Sequence, residues 1–103
     1  MSSVNRLVLT GTVPRAPKTL TGINGVPHSY FLLEHRSMQM EAGHKRPVYC
    51  KIQVVLSGHD TQPLLRYLEL GCNITVAGFV GWQQGRDGQS KLVLHADTIE
   101  PIC

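Results

Sequence analysis

Two apolar segments each carry a glycine where a strand would otherwise run unbroken: Leu7-Val8-Leu9-Thr10-Gly11-Thr12-Val13 and Ile74-Thr75-Val76-Ala77-Gly78-Phe79-Val80. Glycine inside a strand has no side chain to pack, and it is kept where the strand bends sharply or another backbone comes close. Two such strands in 103 residues predict a small, strongly curved barrel. A chain of this length builds one core with little surplus to enclose a deep substrate cavity, so a binding module is expected first.

Alternation marks five strands. The first runs from about 5 to 13, with Leu7, Leu9 and Val13 on one face and Arg6, Val8, Thr10 and Thr12 on the other. Residues 14 to 27, punctuated by Pro14, Pro17, Gly22, Gly25 and Pro27, read as a loop. A second strand over about 28 to 37 sets Phe31, Leu33 and His35 against Tyr30, Leu32, Glu34 and Arg36. Residues 38 to 46 read as a polar connection that contains Gly43 and ends in Lys45-Arg46, and Pro47 opens the third strand. There Val48, Cys50, Ile52, Val54 and Leu56 alternate with Tyr49, Lys51, Gln53 and Val55, so an aromatic ring and a lysine share the solvent side. Asp60 or Thr61 can cap a short helix with Pro63 in its first turn, Leu64, Leu65 and Leu68 over the core, and Gly71 as its stop. A fourth strand over about 73 to 82 leads through Asp87-Gly88, a strong hairpin signal, to a fifth from about Lys91 to Ile99.

Three strands, a short helix and two more strands give the order of an all-β OB-fold: a five-stranded barrel with the helix between strands 3 and 4, taking in residues 1–103 as a single domain. Such barrels bind ligands on the face of strands 2 and 3 and on the loops joining strands 1–2 and 4–5. Those elements contain Arg15, Lys18, Tyr30, Arg36, Tyr49, Lys51, Trp82, Arg86 and Lys91, with Lys45 and Arg46 at the margin. The net charge of +3 favours a polyanionic partner without naming one. Single-stranded nucleic acid fits the mixture, because its phosphates need cations and its exposed bases need flat partners, each stack being worth roughly 1–3 kcal/mol. Trp82 shares its alternation with Ile74, Val76 and Val80, so it faces the core if the period survives Gly81; Tyr67 is expected to be structural.

Catalysis, metal and cofactor are not expected. His28, His35, His44, His59 and His95, with Cys50, Cys72 and Cys103, include no closely spaced ligand pair, and no G-x-x-x-x-G-K phosphate loop occurs. The apolar runs fall far short of a membrane span, and the start has no basic segment followed by an apolar stretch; cytoplasmic residence and reduced thiols are expected. The alternative is an OB-fold module for protein interaction or RNA, in which Val8, Val55 and Val93 form an exposed interface. A sequence stopping at Glu100-Pro101-Ile102-Cys103, without an acidic tail, is expected of a dedicated assembly factor more than of a general single-stranded DNA-binding protein.

Several phrases resemble the primosomal replication protein N family: Asn5-Arg6-Leu7-Val8-Leu9, Arg15-Ala16-Pro17, Val26-Pro27-His28, Leu33-Glu34-His35-Arg36-Ser37, Glu41-Ala42-Gly43, Val55 to His59 and Leu92-Val93-Leu94-His95-Ala96. The resemblance covers almost the whole chain. It implies a bacterial homodimeric OB-fold that binds single-stranded DNA in replication restart, stimulates the PriA helicase and passes the complex to the loader protein DnaT. It also implies a DNA surface in which Arg36 matches the family's strand-two arginine and Tyr49 replaces a tryptophan. Gln84, Arg86 and Lys91 stand at the hairpin lysines, Leu20 stands opposite a first-loop lysine with Lys18 as a substitute two positions away, and His44 replaces a phenylalanine.

Overall fold

The computed structural model describes residues 3–85 and 87–103. Apolar alternation places one side of each long strand against a common interior, giving β1 (Leu7–Thr12), β2 (Lys18–Thr21), β3 (Pro27–Glu41), β4 (His44–Ser57), β5 (Asn73–Gln84) and β6 (Ser90–Pro101). Neighbours run β1-β5-β6-β4-β3-β2, and the pairing of Thr12 with Glu34 joins β1 back to β3. Five strands thus close into an OB-fold barrel, and β2 adds to the edge of β3. Among the described residues only β4 and β6 run parallel, over the short register Gln53–Val93 to Val55–His95. Val13, Phe31, Leu33, Val54, Leu56, Leu68, Ile74, Val76, Leu94, Ala96 and Ile99 fill the interior. Each large side chain among them stabilises the barrel by roughly 1.5–3 kcal/mol on burial.

The two mid-strand glycines stand where backbones meet. A Cβ on Gly11 would overlap the Glu34 carbonyl at the closing seam, and one on Gly78 would overlap the His95 carbonyl. Beside Gly78 the ladder jumps from Ala77–Thr98 to Gly78–Ala96, leaving Asp97 as the extra residue of a bulge. Arg6 donates to Asp97 at 2.8 Å. That guanidinium, with the Thr98 hydroxyl, holds the Asp97 carboxyl below the usual carboxylate range. Asn5 donates to the Val80 carbonyl at 2.8 Å and accepts from the Val80 amide at 2.9 Å, so its side-chain amide continues the β1–β5 pairing.

The structure departs from the sequence reading at several places. Residues 14 to 27 are not all loop, because Lys18–Thr21 pairs with β3; a four-residue edge strand with every side chain exposed carries no hydrophobic period. Residues 38 to 46 are not a loose connection. They are the end of a β3–β4 hairpin paired from Met38–Pro47 to Glu41–His44, turning at Ala42 (φ 52°) and Gly43 (φ 79°). Lys45, Arg46 and Pro47 therefore lie within a strand, and backbone pairing holds this segment where apolar alternation is absent.

The helix is a 3₁₀ turn, Gln62–Tyr67. Thr61 stands at its start but donates instead to the carbonyls of Ser57 and Gly58. The turn ends before Leu68, so Gly71 shapes the entry to β5 and does not stop a helix. Val55 and Val93, expected at an exposed interface, are 4% and 0% exposed. On the outer wall Val55 is flanked across the sheet by the larger Tyr30 and His95, and Val93 lies on an inner strand between β4 and β5, opposite Gln53 and Gly81. Cys50 is exposed because it lies beyond the closed part of the barrel.

Candidate nucleic-acid interface

Strand alternation aligns Tyr30, Leu32, Glu34 and Arg36 of β3 with Val55, Gln53, Lys51 and Tyr49 of β4 as directly opposed pairs on the outward side. β4 meets β6 only at residues 53–55, so the strands diverge below Gln53 and open a cleft of about 560 Å³. Leu7, Leu9 and Ile52 form its floor, and Lys51, Trp82 and Lys91 stand at its walls. Trp82 is 69% exposed and pairs with Leu92, which is exposed too. The alternation does survive Gly81, but β5 overruns the packed interior at that point, so the indole is presented to the cleft.

A second hollow, lined by Arg15, Lys18 and Tyr30, shares Leu32 and Gln53 with the first. The two adjoin at that opposed pair. Among the described residues none of Arg15, Lys18, Lys45, Lys51 and Lys91 has a carboxylate within ion-pair distance, the ion pairs being Arg6–Asp97 and Arg46–Glu41. Arg46 alternates to the opposite side of the hairpin from Tyr49, whereas Lys45 alternates to the same side. Arg86 lies outside the described residues.

Tyr49 faces outward, 46% exposed. The Arg36 guanidinium lies 4.3 Å above its ring, and its hydroxyl donates to Glu34 at 2.8 Å. Ring and guanidinium make a composite flat plate, and either surface suits a nucleobase. Glu34 joins the site as well, because its place between Leu32 and Arg36 in the alternation puts its charge among the cations. Tyr49→Phe retains the plate and removes only the link to Glu34, so affinity for an oligo-dT should change less than about threefold, whereas Tyr49→Ala should cost about 1–3 kcal/mol. A fluorescence titration of both variants separates ring from hydroxyl.

Comparison with known proteins places this geometry in a family. Residues 5–98 match a model described as another single-strand binding protein family. The chain is 52% identical over 99 residues to replication restart protein PriB of Photobacterium profundum, covering 96% of this chain and 95% of the relative. It is 48% identical over 98 residues to PriB of Escherichia coli K12, covering 95% and 94%. A solved structure of PriB from Ralstonia solanacearum superposes with a TM-score of 0.79 at 25% identity, covering 98% of this chain and all of that one. The chain therefore belongs to the PriB replication restart family of single-strand binding proteins, the primosomal replication protein N family that its sequence motifs resemble.

Proposed function

We propose that the chain binds single-stranded DNA without catalysis along the track from Arg15 and Lys18, past Tyr30, Leu32 and Gln53, to Lys51, Trp82 and Lys91, with the Arg36–Tyr49 plate beside it. The observation that carries this reading is that the two hollows adjoin at Leu32 and Gln53, which sets cations without a carboxylate partner among the described residues and an exposed indole on neighbouring parts of one surface. Phosphates meet the ammonium and guanidinium groups while bases meet Trp82 and the plate, so sequence preference is weak. Lys45 extends the track along the hairpin, whereas Arg46, on the other side and paired with Glu41, stands off it; Arg86 belongs to the proposal on its place in the sequence.

Titration with oligo-dT at several salt concentrations tests it. Each phosphate neutralised on a single strand adds about 0.7 to the log–log slope, so four engaged cations give roughly −3. An affinity that ignores salt would remove the electrostatic basis of the reading.

We infer in addition a cytoplasmic homodimer that bridges DNA to the restart helicase PriA and the loader DnaT. Family membership supports this, as do Val8 and Phe79, which stay exposed on the outer wall of β1 and β5 where a protein surface would cover them. Light scattering of the free protein checks the dimer; a mass of one chain across the titration range rejects it.

A further inference from the structure

The β5–β6 ladder does not end with its last strand pair, Ile74–Pro101. The Ile102 amide still donates to the Asn73 carbonyl, at 2.9 Å. One step further in the same antiparallel register puts Cys72 opposite Cys103, and alternation turns both toward the side of the sheet occupied by Ile74 and Pro101. Directly opposed residues of an antiparallel pair have Cα atoms about 4.5–5.5 Å apart, inside the span of roughly 4.4–6.8 Å that a disulfide bridges. From this register we propose that Cys72 and Cys103 are a redox modification site, closing a reversible intrachain disulfide when a low-molecular-weight disulfide such as oxidised glutathione is present.

The remaining surroundings agree. Cys103 beside it, then desolvation and the Glu69 carboxylate, push the Cys72 thiol up to about 11, which keeps Cys72 protonated. Cys103 is exposed and is the thiol that meets the oxidant first. Its thiolate attacks one sulfur of oxidised glutathione, the S–S bond breaks, and one reduced glutathione leaves with the proton. Cys72 then gives up its proton and attacks the mixed disulfide at the Cys103 sulfur, releasing the second glutathione. Two protein thiols are oxidised and one glutathione disulfide is reduced to two thiols.

The bond ties the entry of β5 to the last residue of the sequence and closes a loop of about 30 residues, so it acts on the stability of the β5–β6 layer. Cys50 is exposed on a different strand, outside this register, and supplies the contrast.

The test uses the full chain carrying Cys50→Ser, incubated with oxidised glutathione. Expected are a monomer lighter by two hydrogens, a linked peptide containing Cys72 and Cys103, and a rise in Tm of at least about 5 °C that dithiothreitol reverses. A further Cys72→Ser change should convert the product to a stable glutathione adduct on Cys103. Glutathione adducts persisting on both cysteines of the Cys50→Ser protein, or disulfide-linked dimers in place of the intrachain bond, would overturn the proposal. The readouts are mass and melting point, so the result stands apart from the DNA-binding reading.

Discussion

Gly78→Ala should destabilise the barrel by about 3 kcal/mol or more, at the upper end for adding one methyl group. A Cβ there would overlap the carbonyl oxygen of His95 and come within 2.7 Å of its carbon and 2.8 Å of the Ala96 Cα. Every one of those atoms is backbone, so no rotamer change relieves the contact. β6 would have to move, at the bulge where Asp97 is held by Arg6 and Thr98. Replacing glycine by alanine also removes freedom from the unfolded chain, a gain of only about 0.4–1 kcal/mol that the overlap outweighs. Gly81→Ala is the matched control, because its Cβ would face the His95 ring at 3.1 Å and a side chain can turn aside. Urea unfolding of the two variants decides the matter; a Gly78→Ala midpoint as close to the parent as that of Gly81→Ala would mean that the backbone approach has been misjudged.

Trp82→Ala should weaken binding of an oligo-dT by about 1–3 kcal/mol, a loss of roughly 5- to 150-fold. The indole is exposed in the cleft that Lys51 and Lys91 also line and contributes nothing to the buried core, so far-UV dichroism and Tm should stay near the parent values. Because the chain has one tryptophan, the measurement follows the anisotropy of a labelled oligonucleotide. Equal affinities for parent and variant would take Trp82 off the track and leave the Arg36–Tyr49 plate as the stacking surface.

Much of the barrel was legible because alternation and glycine placement are local records of burial and curvature. The inward faces of β1, β3 and β4, the outward side chains of Tyr49 and Lys51, and the glycines at the two close backbone approaches all follow from residue type and period. What escaped was structure with no apolar period to display it. β2 is too short and too exposed, and the β3–β4 hairpin end is held by main-chain bonds between Gln39, Met40, Lys45 and Arg46, whose side chains face water.

For the candidate site the same division holds. Which side of a strand Trp82 occupies was readable, since it keeps step with Ile74, Val76 and Val80. Whether that side was interior or open depended on how far β5 outruns the packed region, which no count along the chain supplies. Arg46 looked equivalent to Lys45 in the sequence, yet alternation within a strand whose existence the sequence concealed puts it on the other side, paired with Glu41.

The sequence by itself determined a curved five-stranded barrel with a polyanion-seeking, aromatic-bearing outer face, because the period of two and the need for glycine at a backbone crossing act within a few residues. Only the tertiary structure decided that Arg36 would lie on Tyr49, that Glu34 would take its hydroxyl, and that the hollows of Lys18 and Lys91 would adjoin at Leu32 and Gln53. Those are distances between side chains on different strands, and they are set by register and closure of the barrel.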